Sequence, residues 1–67
     1  MAPKERMAAR LKALRERRGL TQEQLAEKSR VGRSHLARLE TGKQDPTLST
    51  LEKLAKALNV DVAKLLK

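Results

Sequence analysis

The sequence contains no cysteine and no aromatic residue, and it has a single histidine. Without cysteine it can form neither a disulfide nor a thiolate metal site, and one histidine cannot build a zinc site alone. No apolar run approaches the ~20 residues needed to cross a bilayer, and residues 1–10 lack the apolar centre of a secretory signal. We therefore expect a soluble, cytoplasmic protein with no metal, no cofactor and no membrane partner.

Patterns typical of enzymes are also missing. The sequence shows no nucleophile–base pair, no carboxylate dyad and no glycine loop of the kind that cradles phosphate. A chain of 67 residues is expected to form one domain, over 1–67, and it is too short to enclose a large cavity. We expect neither catalysis nor a small-molecule substrate.

Apolar residues recur at helical spacing along the whole chain, and no segment alternates as a half-buried strand would. The sequence therefore predicts an all-α fold of five helices. Their boundaries follow from capping residues, proline and glycine. The predicted helices cover about 4–18, 22 to 29 or 30, Gly32 (as N-cap) to Gly42, Thr47 to Asn59, and a short last helix capped by Asp61.

The helical spacing also predicts the core. The expected core residues are Met7, Leu11, Leu14, Leu25, Ala26, Val31, Leu36, Leu39, Leu48, Leu51, Leu54, Ala55 and Leu58. Near the end of the chain, Val62, Leu65 and Leu66 are expected in the core, with a dimer seam as the alternative.

Residues 21–42 carry the spacing of a helix-turn-helix. Five positions match the requirements of this motif, because each has a small or apolar residue where two short helices joined by a tight turn pack together. An α-helix advances about 100° per residue, so Leu36 and Leu39 define the core direction of the third helix. Ser34 then lies about 170° from the core direction, and Ala37 and Arg38 lie about 130° away. Arg33 lies about 90° away, at the helix start that enters the DNA groove in this motif.

Positive charge is concentrated around this motif. Residues 4–43 contain twelve Lys or Arg and five Glu, whereas residues 44–67 contain four Lys and three acidic residues. Arg15, Arg17 and Arg18 taken alone are equally consistent with a solvated helix face. A basic surplus around a helix-turn-helix, however, is the expected footprint of phosphate binding.

Three further side chains border the predicted interior. Arg15 and Glu40 each lie about 70° from the core direction of their helices, which favours an interhelical ion pair over a catalytic role. His35 lies at a similar angle. Packing or a phosphate contact is the favoured interpretation for His35, and a base contact is the alternative.

The segments LKALRERRGLTQEQLAEK, VGRSHLARLETGKQDPTLSTLEKLAKALNV and LLK together resemble the phage-repressor-like family of helix-turn-helix proteins, also called Xre or Cro. The resemblance covers nearly the whole chain. It implies a lambda-repressor-like domain of five helices, whose third helix sits in the major groove of double-stranded DNA. It also implies repression or activation of transcription.

The resemblance implies roles for individual residues as well. Base contacts fall on Arg33, Ser34 and Arg38, and Gln22 is expected to touch a phosphate and brace the third helix. The loop residues Lys43 and Gln44 are at positions where members of the family contact the DNA backbone. Arg15 and Glu40 are at positions where members of the family often have a buried ion pair. This chain departs from the family at Arg30, where the turn usually has glycine, and at Gly32, where Ser or Thr usually caps the third helix.

We expect Arg33 and Arg38 to favour guanine, since the guanidinium fork donates to O6 and N7 together, and Ala37 to offer a methyl group to thymine. Arg10 is expected to join the phosphate contacts, and a homodimer on a palindromic site is a further expectation. The alternatives are an antitoxin-type or other protein-binding module on the same fold, a helical bundle with incidental charge, and an engineered DNA-binding domain.

Overall fold

The computed structural model describes residues 3–66. Five helices follow one another in this range: α1 (Pro3–Arg17), α2 (Gln22–Ser29), α3 (Arg33–Glu40), α4 (Leu48–Leu58) and α5 (Ala63–Leu66). No strand occurs between residues 3 and 66. The predicted all-α fold with five helices is confirmed, and the helix boundaries differ from the expected ones by one or two residues.

Hydrogen bonds from side chains fix the start of α2. The Thr21 hydroxyl accepts from the backbone N–H of Gln24 at 3.1 Å, and the Gln24 side chain accepts from the N–H of Thr21 at 2.9 Å. This reciprocal pair is the capping box that the sequence predicts. It satisfies two backbone donors and sets the direction in which α2 leaves the preceding loop.

Two non-glycine residues in the left-handed conformation end the helices α2 and α4. Arg30 has φ 62° and ψ 29°, and Asn59 has φ 57° and ψ 45°. Asparagine is one of the few residues that tolerate this region, whereas arginine is disfavoured there. The turn between α2 and α3 therefore has the geometry expected of the family, although its glycine is replaced by Arg30.

The core consists mainly of leucine. Seven leucines are essentially inaccessible to solvent: Leu11, Leu25, Leu36, Leu39, Leu54, Leu58 and Leu65. Two predictions of core residues are wrong, because Leu48 is 60% exposed and Leu66 is 58% exposed. Leu48 is the first residue of α4, and no helix covers that side of its first turn within the described range. Leu66 lies on the outer side of α5, next to the buried Leu65.

The packing of the helices leaves one side of α3 uncovered. α2 packs against both α3 and α4, whereas α1 packs against α3 and α5. The inner side of α3 thus rests on α1 and α2, and its opposite side faces outward. None of the helices described is long and apolar enough to cross a membrane.

Candidate nucleic-acid interface

The outer side of α3 carries the residues predicted to contact bases. Arg33, Ser34 and Arg38 are exposed and Ala37 is half-buried, whereas Leu36 on the inner side is fully buried. We call the four outer residues (33, 34, 37 and 38) the reading face. A helix of this diameter fits the major groove of B-DNA, so such a face can reach base edges.

The N-terminus of α3 has no side-chain cap. Gly32 is the N-cap residue, with φ −57° and ψ 141°, and offers no side-chain hydrogen bond; its carbonyl accepts from the N–H of Leu36 at 2.8 Å. The first N–H groups of a helix have no partner within the helix, and the helix dipole adds partial positive charge at this end. The start of α3 can therefore attract an anionic group such as a phosphate.

Arg33 has a neighbour that the sequence did not predict. Its Nη1 lies 3.5 Å from Oε2 of Glu23 on α2, and the two side chains are 66% and 71% exposed. An ion pair this exposed contributes little to stability. It can hold Arg33 near the start of α3 and still release the guanidinium to a ligand. No sequence spacing indicates this contact, because it depends on how α2 and α3 pack.

A buried ion pair fixes α3 against α1. Arg15 Nε donates to Glu40 Oε2 at 2.7 Å, and Arg15 Nη2 donates to Glu40 Oε1 at 3.0 Å. The side chains are only 10% and 2% exposed. The hydrogen bonds to the Glu40 carboxylate raise the pKa of Arg15 above its ordinary value, against the opposing effect of burial. Arg15 therefore remains charged wherever the protein is folded.

Two more hydrogen bonds extend this ion pair into a network. Gln22 Nε2 donates to Glu40 Oε1 at 3.0 Å, and Arg15 Nη1 donates to the carbonyl of Leu20 at 2.7 Å. Gln22 thus connects the start of α2 to the end of α3, which is the bracing that the family resemblance implies. No buried side-chain nitrogen or oxygen in the described range lacks a hydrogen-bond partner. The network orients α3 relative to α1 and α2.

The loop after α3 is tied to the end of that helix. The Lys43 N–H donates to the Arg38 carbonyl at 3.1 Å, and the Thr41 hydroxyl donates to the same carbonyl at 3.0 Å. Gly42 supplies the left-handed residue of this turn, with φ 75°. The side chains of Lys43 and Gln44 are exposed beyond it, so they project from a fixed backbone next to the reading face.

The structure does not group all the predicted residues together. His35 is half-buried on α3. Arg10 lines an open cleft between α1 and α5 with Asp61, Ala63 and Lys64. None of the predicted α2–α3 residues lines this cleft. Among residues 3–66, no group of three His, Asp or Glu side chains is arranged to hold a metal ion.

Comparisons with known proteins show the family of this chain. The helix-turn-helix family HTH_3 matches residues 11–65. The chain is 52% identical over 54 residues to the immunity repressor protein of Bacillus phage phi105, covering 81% of this chain but 38% of that protein. It is 46% identical over 63 residues to the control protein C.SmaI of Serratia marcescens, covering 94% of this chain and 75% of that protein.

Solved structures share the same fold. The restriction-modification controller protein C.AhdI from Aeromonas hydrophila superposes with a TM-score of 0.89 at 36% identity, covering 91% of this chain and 92% of that chain. The hypothetical transcription factor NHTF from Neisseria superposes with a TM-score of 0.93 at 29% identity, covering 98% and 76%. The chain belongs to the Xre-like helix-turn-helix family. Of these four proteins, the phage protein is a repressor, C.SmaI and C.AhdI are control or controller proteins, and NHTF is a hypothetical transcription factor.

Proposed function

We propose that the protein is a sequence-specific regulator of transcription, most simply a repressor, which inserts α3 into the major groove of duplex DNA. The observation that carries this proposal is the reading face itself. Its two arginines are exposed, while the opposite side of the same helix is anchored by fully buried leucines and the Arg15–Glu40 pair. A helix held in place on its inner side, with exposed arginines on its outer side, suits base recognition.

The residues of the reading face divide by chemistry. Arg33 and Arg38 would each donate two hydrogen bonds to O6 and N7 of guanine, and the Ala37 methyl group would contact a thymine methyl. Ser34 is short and can both donate and accept, so it adds contact without fixing the base. The preferred site should therefore be rich in G·C pairs.

A second set of residues would contact phosphates. We assign these contacts to Gln22 at the start of α2, to the N–H groups at the start of α3, and to the loop residues Lys43 and Gln44. His35 is half-buried and would add at most one contact at the edge. Such contacts set the position of the protein on DNA but do not distinguish sequences.

Selection from random duplexes tests the proposal. The recovered motif would show which bases are preferred, and half-sites repeated at about 10 bp would indicate a homodimer on a palindromic site. Failure to recover any motif would contradict sequence-specific binding.

A pair of matched variants tests the placement of the reading face. Arg38→Ala should cost about 1–3 kcal/mol on the selected site and relax the preference at one position. Lys43→Ala should weaken all sequences alike and reduce the salt slope by about one. An unchanged motif for Arg38→Ala would show that α3 is placed wrongly.

A further inference from the structure

A second basic surface lies between α2 and α4. An open cleft of about 450 Å³ is lined by Lys28, Ser29 and Arg30 from the end of α2 and by Lys53, Lys56 and Ala57 from α4. We call it the basic cleft. Its four cations are exposed, and none of them forms an ion pair among residues 3–66. No acidic side chain lines it, so the cleft is complementary to an anion.

Helix dipoles explain only part of this cluster. Lys28 and Lys56 lie in the last turns of α2 and α4, where a cation is favourable for the helix itself. Lys53 lies in the middle of α4 and gains nothing from a helix end. It adds a like charge to a surface that is already positive, which is unfavourable unless an anion binds there.

Arg30 is opposed by its backbone as well as by its neighbours. At φ 62° an arginine is strained where glycine would not be. The side chain has no hydrogen bond or ion pair within the described part of the chain, so no polar contact of the side chain offsets the strain. Backbone strain of this kind is concentrated at functional sites. The cation of Arg30 is thus present despite both backbone strain and charge repulsion.

The position of the basic cleft indicates what occupies it. Arg30 precedes Arg33, the first residue of α3, by three positions, so the Cα atoms of the two lie at most about 11 Å apart and the Arg30 edge of the cleft is near the start of the reading face. We propose that the basic cleft binds the phosphate backbone of the duplex segment flanking the bases contacted by α3. This inference rests on the proposed function and extends it, because the protein would contact DNA beyond its recognition motif.

Two duplexes separate this contact from base recognition. The first contains only the selected motif, and the second carries about 10 bp, one helical turn, of mixed sequence on each side. Affinity is measured by fluorescence anisotropy over a range of salt concentrations. The unmodified protein should bind the long duplex more tightly and with a steeper salt dependence, because additional phosphate contacts release additional counterions.

Lys53→Gln is the informative variant, and Lys12→Gln is its control. Both remove one charge from an exposed helical lysine, but Lys12 lies on α1, outside the basic cleft. Lys53→Gln should reduce the salt slope on the long duplex by about 0.9, because one phosphate is no longer neutralised, and it should leave binding of the short duplex unchanged. Lys12→Gln should preserve the difference between the two duplexes.

Arg30→Gly adds a readout that a purely structural role would not produce. It should lower affinity for the long duplex while raising the melting temperature, since glycine relieves the backbone strain. A loss of binding caused by a damaged fold would instead accompany a lower melting temperature.

Several outcomes would overturn the inference while the proposed function stands. One is tight binding of the short duplex with no higher affinity for the long duplex. A cleft that binds an acidic polypeptide or a free phosphate instead of DNA would give the same result. Another is the same salt slope and affinity for Lys53→Gln and Lys12→Gln on the long duplex. A third is an equal loss for Lys53→Gln on both duplexes, which would place the contact inside the motif. Failure to bind either duplex would overturn the proposed function as well.

Discussion

Replacing Arg30 by glycine should stabilise the protein. Arg30 adopts the left-handed conformation, and its N–H donates to the carbonyl of Ala26, which also accepts from the N–H of Val31 at 3.2 Å. Both hydrogen bonds come from the backbone, so glycine keeps them. The Arg30 side chain is exposed and makes no ion pair in residues 3–66, so its removal breaks no ion pair.

The size of the effect follows from two opposing terms. A left-handed residue other than glycine costs about 1–2 kcal/mol, which the substitution relieves. Glycine also gives the unfolded chain more freedom, which takes back about 0.4–1 kcal/mol. The expected net gain therefore lies between about 0 and 1.6 kcal/mol. In a domain of this size each 1 kcal/mol of gain raises the melting temperature by about 4–8 °C.

Thermal unfolding followed by far-ultraviolet circular dichroism measures this gain, with Arg30→Ala as the control. Alanine removes the guanidinium and its repulsion by nearby lysines but keeps the left-handed strain. The difference between the glycine and alanine variants thus isolates the backbone. A glycine variant that melts at or below the alanine variant would refute the conclusion that Arg30 is strained.

Three other predictions concern stability and binding. Glu40→Ala should destabilise the fold by about 3 kcal/mol because it leaves Arg15 charged and buried. Combining Arg15→Met with Glu40→Leu should recover much of that loss. Additive effects in a double-mutant cycle measured by urea unfolding would show that the two side chains do not interact. Gly42→Ala should cost more than Gly19→Ala. Both glycines have positive φ, but only at Gly42 would a new Cβ meet another residue, the Cγ of Glu5 at 3.3 Å; equal urea midpoints would contradict this. Glu23→Gln should increase DNA affinity modestly at low salt, since a carboxylate beside the reading face repels phosphates and competes with DNA for Arg33. Unchanged titration curves would show that Glu23 lies away from the DNA.

Most of the helical framework could be predicted because it depends on local chemistry. The Thr21 capping box, the left-handed Asn59 and the buried Leu36 and Leu39 follow from residue type and a period of 3.6. Arg15 and Glu40 could be placed beside the core by their angles, and the structure joins them in an ion pair. In each case the relevant neighbours lie on the same helix or are fixed by the helix-turn-helix spacing.

The errors and omissions concern contacts between elements. Periodicity places Leu48 on the apolar side of α4, but it cannot tell whether another helix covers that first turn. The contact of Glu23 with Arg33 and the proximity of Lys53 to Arg30 depend on the packing of α2 against α3 and α4. Such contacts carry no signal in sequence spacing, because their partners are brought together only by the tertiary fold.

The charge balance explains why the arginines of this protein behave in two ways. The chain has 16 Lys and Arg but 8 Asp and Glu, so one-to-one pairing would still leave eight cations without a carboxylate. Glu40 is used in the interior, where it satisfies Arg15 and Gln22 together. Arg33 keeps only an exposed and weak ion pair with Glu23. A buried cation must be paired with an anion, whereas an exposed cation need not be. The cations that lack a carboxylate partner are therefore expected at the surface. The surface cations without a carboxylate partner are the ones available to phosphates and bases. The excess of positive charge therefore causes repulsion between surface side chains and also supplies the affinity proposed for DNA.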